Sequence, residues 1–291
     1  MDIIQILKDE LQINRSQAEA AVKLIDEGNT IPFIARYRKE ATGSLNDEVL
    51  RNLDERLKYL RNLEERKEQV INSIREQEKL TPELEKKILA ASTLVAVEDL
   101  YLPYRPKRKT RASIAKEKGL EPLANLVLMQ LTKTPLLKEA EHYISEEKGV
   151  LTAEEALNGA KDILAERIAE TAEYRTYIRK ATFQEGSLDS SARDGNAESV
   201  YEMYYNFTEP VKKAAGHRIL ALNRGEKEKI LTVKITAPEE KILRYLEKKV
   251  ITRENPETAR VLREVTEDSY KRLISPAIER EIRSELTENA E

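Results

Sequence analysis

Apolar residues recur along most of this chain at three- and four-residue spacing, the period of a helix with one buried face. Ile3, Ile4, Leu7 and Leu11 form the first such stripe. Asn14 is placed to cap a second helix, whose apolar side is Ala18, Ala21, Val22 and Ile25, and Gly28 stands just past its last turn. A short third element over 31–37 carries Pro32 near its first position. Three short helices joined by tight turns predict a helix-turn-helix-like unit over residues 1–45.

The longest periodic run follows. Ser44-Leu-Asn-Asp47 is a capping-box variant with Asp in place of Glu or Gln. Behind it Leu50, Leu53, Leu57, Leu60, Ile71 and Ile74 form a heptad-like stripe, interrupted at Glu64 and Lys67. The spacing predicts a helix over 46–78, about 50 Å long. The interruption favours packing against other helices of the same chain over a continuous two-stranded coiled coil. Further starts are marked at Thr81-Pro82, at the capping box Thr152–Glu155, at Thr236–Glu239, at Pro256 and at Ser275-Pro276. Another helix is expected over 174–181.

Two stretches, Arg218–Leu222 and Ile230–Ile235, read as strands flanking a polar turn, so a β-hairpin is expected there. Glu185–Gly195 is rich in Gly, Ser and Asp without a period and reads as a linker. The fold class is therefore mainly α: an elongated multi-helix array with a helix-turn-helix-like unit, a long charged helix and one small β-hairpin. The expected division is 1–45, a helical domain 46–185, a linker 186–196, and a hairpin with helices over 197–291. The last helix reaches Glu291 without a stop signal, so the chain reads as part of a longer protein.

Composition narrows the function. Charged residues make up 35% of 291, with 50 basic and 53 acidic side chains. So even a balance excludes a uniformly basic nucleic-acid coat, and any such contact must be a local patch. The absence of Cys excludes disulfides, thiolate nucleophiles and zinc ribbons. His142 and His217 are too far apart for a His-x-x-x-His zinc site. No Gly-rich phosphate loop, Gly-x-Ser-x-Gly or Asp-x-Asp cluster occurs. No catalytic residue, metal or cofactor is expected, and paired acids such as Glu154-Glu155 follow from the high acid content. The N-terminus lacks a signal-peptide pattern, and the longest mostly apolar stretch, 88–97, is too short to span a bilayer. A soluble, cytoplasmic protein without membrane contact is expected.

Two segments carry candidate chemistry. Between Pro103 and Lys118 there are seven basic residues and one acid. Pro103 and Pro106 keep the segment out of a regular helix. Arg105, Lys107, Arg108, Lys109 and Arg111 could then meet phosphates while Tyr101 and Tyr104 stack on bases. The competing reading is a solvated loop whose cations pair with acidic helices. The second segment places Arg36, Arg38 and Lys39 before a turn at Gly43. They could touch a nucleic-acid backbone. The competing reading is that Arg at this helix end serves the macrodipole, and that Arg36 or Arg38 pairs with Asp54 or Glu55 on the long helix.

Thr30-Ile-Pro-Phe-Ile-Ala-Arg-Tyr-Arg-Lys-Glu-Ala-Thr-Gly-Ser44 and Asp99-Leu-Tyr-Leu-Pro-Tyr-Arg-Pro-Lys-Arg108 resemble the N-terminal region of the bacterial Tex family of transcription accessory proteins. Leu53-Asp-Glu-Arg-Leu57 and Gly216–Leu222 with Arg224-Gly225 are similar to that family's pattern too. The resemblance implies a larger parent with an RNase H-like domain, tandem helix-hairpin-helix motifs and an OB-fold RNA-binding domain. It transfers no catalytic residue. It implies a helical arm that packs on those absent C-terminal domains and adds weak RNA or DNA contacts. The alternative is a protein-interaction scaffold that recruits transcription machinery without binding nucleic acid itself.

Overall fold

The computed structural model describes residues 1–291. The fold is mainly α with one small antiparallel sheet. The chain packs as two compact units, Met1–Tyr104 and Arg105–Glu291, each with its own apolar core.

In the first unit α1 (Ile3–Leu11), α2 (Arg15–Asp26), α3 (Ile31–Tyr37) and the single turn α4 (Lys39–Thr42) lead into the long helix α5 (Asp47–Glu76). The unit closes with α6 (Pro82–Ala90) and α7 (Leu94–Tyr101). Gly28 takes φ +90° just beyond α2, a conformation that costs glycine little. The stripe of α5 is buried from Leu50 to Ile74. Arg56 pairs with Glu10 at 2.7 Å and Arg61 with Asp26 at 2.8 Å, tying α1 and α2 to α5 along its edges.

Lys67 does not interrupt that stripe. It is 5% exposed, and its Nζ donates to the carbonyl of Leu89 at 2.7 Å, in the last turn of α6. Carbonyls in a last helical turn lack backbone partners and carry partial negative charge. The aliphatic stem fills the apolar seam while the ammonium meets that carbonyl. Burial pulls its pKa below that of an ordinary lysine.

The second unit opens with α8 (Arg111–Glu117), α9 (Glu121–Met129) and α10 (Leu136–Glu141), then α11 (Ala153–Ala169) and α12 (Ala172–Glu185). It continues through β1 (Ser187–Ala192), β2 (Asn206–Pro210), α13 (Gly216–Lys227), β3 (Leu231–Thr236) and α14 (Glu239–Val250), and ends in α15 (Pro256–Asp268) and α16 (Ser275–Ala290). Helix α11 packs against α8, α9, α10 and α15. Small residues on it, Ala156, Ala160 and Ala165, are fully or almost fully buried. A Cβ at Gly159 would collide with Leu120, so glycine is what permits that close approach.

Two expectations change here. The segment expected as a linker over 186–196 contains β1, the central strand of a sheet ordered β2-β1-β3. Leu188 lies opposite Glu209 on one side and Ile235 on the other. Its Ser- and Asp-rich composition marks a solvated face: the Asp189 carboxylate accepts hydrogen bonds from the hydroxyls of Ser187, Thr208 and Thr236. The expected hairpin is also absent. Arg218–Leu222 lies inside α13, where Ile219 and Leu222, three apart, face the core. Five mostly apolar residues fit either period, and tertiary packing chose the helix. Ser275-Pro276 opens α16 as expected, but without a break in the chain's helical course. A π turn over Ser269–Ile274 joins α15 to α16. Pro276 has no N–H to donate and its ring crowds the carbonyl four residues back, and a widened turn relieves both.

The loop between α14 and α15 is held by one side chain. Gln130, buried in the left-handed conformation at φ +58°, donates to the carbonyl of Val250 at 2.9 Å and accepts from the N–H of Thr252 at 2.9 Å. Asn255 returns two bonds, to the carbonyls of Gln130 and Thr132. Gln130→Ala strands buried backbone groups and is expected to destabilise the second unit by about 2–4 kcal/mol. Urea unfolding followed by circular dichroism measures this. A loss under about 0.5 kcal/mol, the size of an ordinary surface change, would contradict the anchoring role.

Candidate nucleic-acid interface

The basic run does not form one platform. Tyr101 ends α7 and is 8% exposed. Its hydroxyl bonds Ser73 at 2.9 Å and the guanidinium of Arg66 lies 5.3 Å from its ring centre. The ring is committed to the first unit, and the expected stacking role for Tyr101 is corrected on that ground. Tyr104 is half-buried against the same core, and its carbonyl accepts from Gln77 at 2.9 Å.

Of the cations that follow, Lys107 is neutralised within the second unit. Its ammonium pairs with Glu166 at 3.1 Å and with Glu170, one turn apart on α11 and just beyond it. Burial raises the pKa of Glu170, and Lys107 works against that rise. Arg105 is exposed but already engaged. Arg111 opens α8 and lines a cavity of about 280 Å³ with Lys118, Glu155 and Asp162. Burial raises the pKa of Asp162, while the charges of Arg272 and Arg111 oppose the rise. Arg108 and Lys109 are exposed and make no ion pair within the chain.

The segment at the end of α3 is more open. Arg36 and Lys39 are exposed without an ion pair. Arg38 pairs with Glu40 at 3.0 Å. The pairing expected with Asp54 or Glu55 does not form, and Asp54 instead meets Lys58 one turn along α5. Beside these cations stand two side chains that the sequence pattern did not single out. Phe33 is 42% and Tyr37 62% exposed, with ring centres 5.3 Å apart. Their signal was present in the spacing: residues 33 and 37 lie four apart, off the face that carries buried Ile34.

Comparison with known proteins adds the family. The Tex-like protein N-terminal domain matches residues 1–75, and the Tex central region-like family matches residues 132–291. The chain belongs to the Tex family. It is 49% identical over 290 residues to the uncharacterized protein YdcI of Bacillus subtilis, covering 99% of this chain and 40% of that one. It is 42% identical to the transcriptional accessory protein Tex of Neisseria gonorrhoeae, over 80% of this chain and 31% of the relative. It is 31% identical to the human S1 RNA-binding domain-containing protein 1, over 100% of this chain and 30% of the relative. The chain thus spans less than half the length of these relatives.

Within this Tex-family chain the two basic segments differ in standing. Arg36, Arg38 and Lys39 fall inside the stretch matched to the N-terminal domain. Arg105–Arg111 falls between the two matched stretches. No helix is long and apolar enough to cross a membrane.

The contrast between paired and unpaired cations is measurable as stability. Lys107→Ala leaves Glu166 and Glu170 facing each other without their counter-charge. It is expected to cost about 1–2 kcal/mol at neutral pH. Arg108→Ala and Lys109→Ala stay within about 0.5 kcal/mol of the parent. Because burial already raises the pKa of Glu170, removing Lys107 raises it further. The penalty exists while Glu170 is ionised and fades as pH falls through that raised pKa. Denaturant unfolding at neutral and mildly acid pH checks this. Equal losses for Lys107 and Lys109 would show that the pairing carries no weight.

Proposed function

We propose that this chain is the helical N-terminal part of a transcription accessory protein and supplies weak, electrostatic contacts to RNA or DNA. One observation supports the reading above the others. In a chain whose acids outnumber its bases, Arg36, Lys39, Arg108 and Lys109 point to solvent without an acid to neutralise them. Phosphates are the natural counter-charge for such groups, and two Tex-family relatives carry transcription or RNA binding in their names. In this reading the chain performs no catalytic step, needs no cofactor, and leaves the tighter contacts to the rest of the longer protein.

A second reading has its own observation. Val200 and Met203 are 85% and 73% exposed on one short segment, and apolar side chains this open are what a protein partner covers. The chain would then be a scaffold that recruits transcription machinery.

Fluorescence anisotropy with labelled RNA and DNA, single- and double-stranded, separates the two. The first reading expects binding at about 50 mM salt that weakens at least tenfold by about 200 mM. Replacing Arg36, Lys39, Arg108 and Lys109 together by Ala is expected to reduce affinity at least tenfold, while Lys107→Ala does not weaken binding beyond its effect on folding. Undetectable binding at low salt, or full affinity in the fourfold variant, would overturn the first reading.

A further inference from the structure

We propose that the outward face of α3 is a stacking platform for single-stranded nucleic acid, with Phe33 and Tyr37 receiving bases and Arg36 and Lys39 holding the adjoining phosphates. The inference rests on the nucleic-acid reading above and gives it a ligand class and two further residues.

Helix geometry builds the face. Residues 33, 36 and 37 stand at i, i+3 and i+4 and share one side of the helix, while Ile34 is fully buried in the core that α5 organises. The rings are set 5.3 Å apart and tilted by 47°. Arg36 lies within the same face, and Lys39 opens α4 just past the break at Arg38. This exposure is unusual for the chain. Every other tyrosine is buried or half-buried, yet Tyr37 is 62% open. The ring pair adds little to folding, about 0.5 kcal/mol for a side-chain pair one turn apart on a helix.

The platform is also held in place. The Thr30 hydroxyl caps α3 by accepting from the N–H of Phe33 at 3.3 Å. Gln17 on α2 donates to the carbonyl of Thr42 at 3.1 Å and so fixes α4. Rings on a fixed element offer their faces without an ordering cost on binding.

Charge and shape choose the occupant. Two exposed cations without an ion pair, Arg36 on the ring face and Lys39 two residues beyond Tyr37, favour a polyanion. Ring faces add affinity only where the ligand has flat surfaces to lay on them. A single strand has unstacked bases spaced between phosphates, whereas a duplex keeps its base faces covered. An acidic protein segment would use the cations and leave the rings without partners.

The chain has no tryptophan, so Tyr37→Trp places a single indole in the face as a reporter. A 10-nucleotide oligoadenylate is expected to quench that indole, and a duplex of equal length to do so at least fivefold less. In the parent chain Phe33→Ala with Tyr37→Ala is expected to weaken oligoadenylate binding about fivefold to a hundredfold, since each base–ring stack is lost. Phe33→Leu, which keeps an apolar side chain, controls for folding, and circular dichroism confirms the helix content of each variant. If the double alanine variant binds as the parent does while Arg36→Ala with Lys39→Ala weakens binding, the platform is wrong and the electrostatic reading stands. If the duplex quenches equally, or polyglutamate of equal charge displaces the oligonucleotide as readily as oligoadenylate does, the single-strand assignment is overturned. If neither the parent nor any variant binds at low salt, both readings fail together.

Discussion

Short-range charge pairing decides what each cation of this molecule is free to do. With more than a third of the residues charged and the two signs nearly balanced, most helix surfaces meet an oppositely charged neighbour. Exposed pairs of this kind each add little stability, from nothing to about 1 kcal/mol. Their larger effect is to remove local charge. Arg56 and Arg61 are taken up by Glu10 and Asp26, and Lys107 by Glu166 and Glu170. The electrostatic surface a polyanion would meet is set by what this pairing leaves over. That remainder is smaller than the sequence run 101–111 suggests, and it includes the end of α3.

Many of the helices were readable without coordinates, although α7, α8, α9 and α10 were not expected from the pattern. The leucine stripe of α5, the proline starts of α3, α6 and α15, and the glycine after α2 each follow from local rules, and each appears where those rules place it. What could not be read has physical causes. A serine- and aspartate-rich strand looks like a linker because its pairing partners lie elsewhere in the chain, and β1 is specified by β2 and β3. A five-residue apolar stretch cannot separate a helix from a strand, and Arg218–Leu222 went to the helix. Lys67 looks like a break in a hydrophobic stripe because periodicity counts a lysine as polar throughout, although its stem is not.

The candidate interface divides in the same way. Which residues are basic was readable, but which basic residues are already neutralised depends on partners some sixty positions distant, as for Lys107 and Glu170. Tyr101 and Tyr37 illustrate the matching point for aromatics. One closes a core against Arg66 and Ser73, the other stands open beside Arg36. Residue type is shared between them, and environment separates their roles. Family membership places the chain among relatives of which it spans less than half the length.

The division between spent and available cations can be tested at individual residues by lysine acetylation footprinting with mass spectrometry, with and without a single-stranded RNA. Lys39 and Lys109 are expected to label quickly in the free chain and to be protected by RNA, while Lys67 and Lys107 label slowly and show no change. Rapid labelling of Lys107 with protection equal to that of Lys109, or no protection of Lys39, would contradict the account.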